Sequence, residues 1–130
     1  MNTFGVLLQI CGITTHQAAH FLGVPPRVVI RWVRGVGQPT VEALTRLGGL
    51  QARQQDVADA ILTSWDEAGR PASLSITVAR DDDEAKGMGW PSLAAQIAPT
   101  AIAQAVLGPV RIELDHGDSV EVDPATIAAE

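Results

Sequence analysis

Apolar residues recur first with a helical period. Phe4, Leu7, Leu8 and Cys11 stand at i, i+3, i+4 and i+7, one face of a short helix that Gly12 ends. Thr14-x-x-Gln17 is a capping-box sequence, in which the hydroxyl accepts from the Gln17 amide and the glutamine side chain reaches back. A second helix follows with Ala18, Ala19 and Leu22 inward, and Gly23 breaks it. Val24-Pro25-Pro26 opens a third helix running to about Val36, since proline suits a first helical position. Gly35 and Gly37 form a loop. Pro39 starts a fourth helix through Leu44 and Leu47 that Gly48-Gly49 is expected to interrupt. A fifth carries Val57, Ala58, Ile61, Leu62 and Trp65 and stops at Gly69.

Beyond Arg70-Pro71 the period becomes two. Leu74, Ile76 and Val78 alternate with Ser75 and Thr77, which predicts a strand with one buried face. Asp81-Asp82-Asp83-Glu84 to Gly89 reads as a loop, and residues 91–107 as a helix kinked at Pro99. Val110, Ile112 and Leu114 alternate again, as do Val120 and Val122, with Asp115-His116-Gly117-Asp118 as a hairpin turn between them. The tail from Asp123 to Glu130 carries no clear pattern.

Charge sharpens this division. Residues 1–55 hold five arginines against Glu42 alone, net +4, and residues 56–130 hold four bases against fourteen acids, net −10, which together give the chain's −6. A basic front and an acidic rear suggest two jobs. The single cysteine, Cys11, lies on the apolar stripe of the first helix and fits a core position and a reducing cytoplasm. No basic region precedes the apolar run from Met1 to Ile10, so no signal peptide is expected. No charge falls between Lys86 and Arg111. That stretch is mostly alanine and contains Pro91, Pro99, Pro109, Gln96 and Gln104, which favours a buried helix over a membrane span.

The run TTHQAAHFLGVPPRVVIRWVRG, closing at Gly35, carries the strongest functional signal. Two helices crossing closely need a small residue at the crossing, here Ala19. They also need a residue tolerant of positive φ in the tight turn, here Gly23, and apolar anchors, here Ala18, Leu22, Val24, Val29 and Trp32. Val29, Trp32, Val33 and Val36 then form one stripe of the third helix. Arg27, Arg31 and Arg34 lie opposite it at i, i+4 and i+7. Three arginines without an acid suit a helix in the major groove, because a guanidinium pairs bidentately with guanine and also neutralises phosphate. Arg27 and Arg31, nearer the helix start, are expected to touch base edges and Arg34 a phosphate.

From Phe4 to Leu50 the chain resembles the Xre/Cro-type helix-turn-helix repressors, including Arg31-Trp32-Val33-Arg34-Gly35 followed by Pro39 and Leu47. The resemblance implies base contacts at Pro26, Arg27 and Arg31. The family's phosphate-clamping glutamine is replaced by Thr15, whose hydroxyl could serve, and its frequent glutamate by Val33. His16, Gln17, Gln38 and Thr40 complete the expected DNA-binding set. Over about 110 residues the chain is also similar to YdiL-like regulators and anti-CRISPR-associated repressors of phage operons, on Gly69-Arg70-Pro71 and Gly89-Trp90. This implies a homodimer bound to an inverted repeat in its own promoter. Excisionase-type winged domains share the Ala-Gly-Val-Trp framework but need strands after Gly35, where Pro39 to Leu47 reads helical.

The expectation is therefore an α+β chain. Residues 1–69 would form a five-helix helix-turn-helix domain. Residues 71–130 would form a small strand-helix-strand-strand dimerisation domain, pairing through Leu74, Ile76, Trp90, Leu93, Ile97, Ile102, Val106 and Ile112. Sixty residues bury little core alone, and a second copy would cover the apolar surplus. His16 and His20 have a metal-compatible i, i+4 spacing but no third ligand nearby in sequence, and Asp81–Glu84 lacks a calcium-loop pattern. No catalytic triad order, phosphate loop or dinucleotide fingerprint is present, so no enzyme, cofactor or metal is expected. Two other classes stay open: a helix-turn-helix oligomer that recruits or packages DNA, like a small terminase subunit, and a protein-interaction module. RNA stays open as a second nucleic-acid partner, although no aromatic stacking platform is visible.

Overall fold

The computed structural model describes residues 2–116. They form a mixed fold of six helices and a two-stranded sheet, in the order α1 (Thr3–Cys11), α2 (Thr15–Leu22), α3 (Pro26–Val33), α4 (Val41–Glu67), β1 (Ser73–Thr77), α5 (Asp82–Gly87), α6 (Leu93–Leu107) and β2 (Arg111–Asp115). The strand expected at Val120 and Val122, the end of the turn leading to it, and the tail lie outside the described residues.

Three expectations are corrected. The third helix ends at Val33 and does not reach Val36, which is 48% exposed beyond the left-handed Gly35. Gly48-Gly49 does not interrupt α4, which runs unbroken for 27 residues. Each glycine costs a helix interior only about 1 kcal/mol. Both are exposed, while Ala43, Leu47, Leu50, Gln54, Ala58 and Ile61 make one buried stripe across them that holds the helix together. The acidic segment after Arg80 is not a loop throughout but contains α5. Asp81 caps it by accepting from the Glu84 amide at 2.9 Å, and Asp82, Asp83 and Glu84 occupy the first turn, where carboxylates favour a helix.

The apolar core is continuous across the boundary expected at Arg70. Phe4, Leu8, Ala18, Val29, Trp32 and Leu47 pack in one cluster with Ala79, Ala85, Trp90 and Ala95. A polar clamp explains how the rear of the chain is held to the front. Pro99 sits inside α6 and has no N–H, so the Ala95 carbonyl loses its i+4 donor. The buried Gln54 supplies one: its Nε2 donates to Ala95 O and to Cys11 O, each at 3.0 Å. The second acceptor is itself an orphan, because Cys11 ends α1. Beside it, Ser92 caps α6 by accepting from the Ala95 amide at 2.9 Å while its hydroxyl donates to Gly12 O at 2.7 Å. Gly12 is required here, since its φ is +79° and a Cβ would stand 2.8 Å from the Ala94 carbonyl carbon.

The two strands are parallel, with Leu74 opposite Ile112 and Ile76 opposite Leu114, and α5 and α6 form the crossover. Leu74 and Ile76 line a groove of about 350 Å³ with Val57, Ala60 and Ile61 of α4. Of the residues expected to pair two copies, Trp90 is only 7% exposed and lies in the core, with Leu93 packed against it. Burial within one copy leaves Trp90 little surface to offer a second. Leu74, Ile76, Ile97, Ile102 and Ile112 are half-buried, and Val106 is 66% exposed. No helix among the described residues is long and apolar enough to cross a membrane.

Candidate nucleic-acid interface

Local signals set the position of α2 and α3. The capping box at Thr14 forms in both directions, with Gln17 N donating to Thr14 Oγ1 at 3.2 Å and Thr14 N to Gln17 Oε1 at 3.0 Å. Gly23 ends α2 in the left-handed region, φ +72°, and its amide and that of Val24 both donate to Ala19 O. Ala19 is buried where α2 meets α3, and Val29 and Trp32 fasten α3 to the core. The Trp32 ring meets Phe4 edge-on, centroids 5.7 Å apart.

The opposite side of α3 faces solvent. Arg27, Arg31 and Arg34 are all exposed, and no carboxylate pairs with any of them among the described residues. At 1.5 Å per residue, seven residues carry this row over roughly 10 Å. Pro26 is exposed beside them. Neither Pro25 nor Pro26 has an N–H. The Val28 and Val29 amides turn back to Pro25 O at 2.9 and 3.4 Å, so the start of α3 offers little backbone donor capacity outward.

The other expected contacts are more dispersed. His16 is exposed on α2 and lines a groove of about 510 Å³ with His20, Gly23, Pro25 and Pro26, next to the start of α3. Thr15 is half-buried in the first turn of α2. Gln17 has both ends of its amide engaged: the oxygen in the capping box, and Nε2 3.4 Å from Asp82 Oδ2. Gln38 and Thr40 are exposed beyond α3, and Thr40 Oγ1 caps α4 by accepting from the Ala43 amide at 3.1 Å. Among the described residues no cluster of three metal-binding side chains occurs.

Three features escaped the sequence reading. Asn2 caps α1 through Oδ1, which accepts from Gly5 N at 3.1 Å, and its Nδ2 donates to Trp32 O at 2.8 Å, so one side chain ties the start of α1 to the end of α3. An Asn just before an apolar helix was a legible cap signal, but its second bond spans thirty residues of sequence and was not. Arg46 and Arg53, counted with the basic front, are turned to backbone carbonyls. Arg46 Nη1 lies 3.4 Å from Phe21 O. Arg53 donates to Gly89 O at 2.6 Å and stacks 3.7 Å from the Trp90 ring centroid. The basic and acidic halves also touch, because Asp82 at the start of α5 stands against Gln17. Arg46 and Arg53 keep their charge but are held by these carbonyls, which leaves the three arginines of α3 and its C-cap as the solvent-facing row, while Asp82 flanks the start of α2. No family model and no curated protein matches the chain.

Proposed function

We propose that α2 and α3 are the paired helices of a helix-turn-helix, and that the chain is a sequence-specific DNA-binding repressor. In this reading it acts in the cytoplasm as a homodimer on an inverted repeat. It autoregulates its own operon, of the phage or mobile-element, anti-CRISPR-associated type. The observation that carries the reading is the row of three exposed arginines on α3 and its C-cap, unpaired among the described residues and backed by Val29 and Trp32 in the core.

The row's length of roughly 10 Å spans about three base-pair steps of 3.4 Å. Arg27 and Arg31 reach base edges, where a guanidinium can hold guanine O6 and N7 together, and Pro26 offers an apolar contact to a thymine methyl. Arg34, at the end of the helix, meets a phosphate. The rigid anchoring of α3 favours discrimination, since a reading helix must present its side chains in fixed register. Two copies related by a two-fold axis would read half-sites about 34 Å apart. Footprinting the purified protein on the DNA upstream of its own gene tests this. A protected palindromic segment is expected, and no protection at low salt, where electrostatic binding is strongest, overturns the reading.

A further inference from the structure

One edge of β1 is open. Ala72 O accepts from Arg111 N at 3.0 Å and Val78 N donates to Asp115 O at 2.8 Å, so these residues turn their backbone groups toward β2. The direction alternates along a strand, and Ser73, Ser75 and Thr77 therefore aim their N–H and C=O groups the other way. None of these outward groups has a partner among the described residues, and all three residues are exposed. The groove of about 350 Å³ follows this edge. Leu74, Ser75, Ile76 and Thr77 line it in succession, from both faces of the strand, and no residue of β2 does. Val57, Ala60 and Ile61 of α4 form its apolar wall. Folded proteins blunt a free edge with charge, proline or a bulge. The strand Ser-Leu-Ser-Ile-Thr has no charge and no proline, and its register with β2 runs without a bulge.

We propose that the β1 edges of two copies pair antiparallel across a two-fold axis at Ser75, joining their sheets into one, an inference that rests on the two-copy part of the reading above. The register selects a second copy as the occupant. With the axis at Ser75, that residue faces its own copy, Ser73 faces the second Thr77, and Leu74 faces the second Ile76. Every outward backbone group then meets a counterpart: the pairs 73–77, 75–75 and 77–73 each exchange two bonds, about six in all. On one face the aliphatic side chains meet each other beside Val57 and Ile61, and on the other serine meets serine or threonine. Pairing like with like satisfies both edges in one closed contact, whereas a strand from another protein would have to match a register that β1 already matches with itself. The free edge of β2 is unsuited to the same contact. Three of its five residues are charged, and Glu113 at its middle would face its own copy. Asp115, opposite Thr77, stays on the far side of β1, about 10 Å from the added strand. Asp59 stands two residues from both Val57 and Ile61, on the other side of α4. No residue of α2 or α3 takes part.

Sedimentation velocity of the full chain without DNA tests the pairing. The wild type should sediment as a dimer at micromolar concentration. Ser75→Pro removes an amide that points away from β2, so the β1–β2 ladder keeps its bonds while the centre of the contact loses two. It should raise the dissociation constant by roughly tenfold or more. Ser75→Lys sets two ammonium groups directly opposite and should weaken the dimer in the same direction, which covers the case of the proline variant losing its fold by circular dichroism. Ser75→Thr keeps every backbone bond and should stay dimeric, as should Leu114→Lys on β2. A monomeric wild type overturns the proposal and leaves the edge to residues 117–130 or to a strand of another protein. A dimer that survives both Ser75→Pro and Ser75→Lys, or is lost as readily in Leu114→Lys, overturns it too. A dimer with the expected behaviour that binds no DNA removes the repressor reading and leaves this interface standing.

Discussion

Replacing Gln54 by leucine should destabilise the fold by about 2–4 kcal/mol, and the cost should depend on whether residue 99 is proline. Gln54 is 2% exposed, and its amide nitrogen serves Cys11 O and Ala95 O at 3.0 Å each. Leucine keeps an apolar stem of similar bulk and removes both donors. Cys11 and Ala95 are fully buried, so water does not replace them. A buried acceptor left without a donor costs about 1–3 kcal/mol, and better apolar packing of leucine offsets part of the combined loss. Pro99→Ala gives residue 99 an amide that can donate to Ala95 O. In that background Gln54→Leu strands only Cys11 O and should cost about 1–2 kcal/mol, a coupling energy of about 1–2 kcal/mol. Urea unfolding of the wild type, both single variants and the double variant measures it. Equal costs in the two backgrounds, within about 0.3 kcal/mol, would show that Gln54 is not the substitute donor for the proline-stranded carbonyl.

On the proposed operator, Arg27→Ala and Arg31→Ala should each lose about 1–3 kcal/mol and relax preference at one base position per half-site. Arg34→Ala should weaken operator and scrambled duplex alike and reduce the salt slope by roughly 0.9 per copy. Filter binding at matched salt separates the two patterns, and an unchanged operator preference in Arg27→Ala and Arg31→Ala would refute the base-reading assignment. Asn2→Asp keeps the acceptor that caps α1 but loses the donor to Trp32 O, so amide exchange at Gly35 and Val36 should quicken while α1 stays protected; equal exchange in both proteins would count against the tie. Burial pushes the Cys11 thiol up from its ordinary value. The thiolate is favoured in the unfolded chain, so stability should hold below the ordinary thiol pKa and decline as pH rises through it. Labelling with a disulfide reagent should track unfolding, and rapid labelling of the folded protein would contradict that burial.

Local signals were legible where the residues that set an element lie within one turn of each other. The capping box at Thr14, the left-handed Gly23 and the proline start of α3 all read directly, and the alternation around Leu74 and Ile112 marked both strands. The same local logic failed at Gly48-Gly49, where a buried stripe extending well beyond both glycines outweighs their helix propensity. It also passed over Asp81-x-x-Glu84, a cap signal masked by the acidity of the segment. Pairing was out of reach: nothing near Gln54 in sequence indicates that its amide completes a helix broken forty-five positions later, nor that the strands run parallel. The candidate interface divides in the same way. The α3 arginines follow from periodicity, whereas the roles of Arg46 and Arg53 depend on carbonyls supplied by distant elements.

The proline pair at the start of α3 bears on what competes for this surface inside a cell. Helix starts commonly trap small anions, because several outward amides converge on one point. Here Pro25 and Pro26 contribute none, and two of the next amides bond inward. Inorganic phosphate, nucleotides and organic acids would find no compact cradle, only guanidinium groups spread along the helix. A polyanion with one charge per about 1.7 Å of its axis engages all of them at once. On the proposed reading, occupancy would follow ionic strength and polymer, and would be largely indifferent to the abundance of small phosphorylated metabolites.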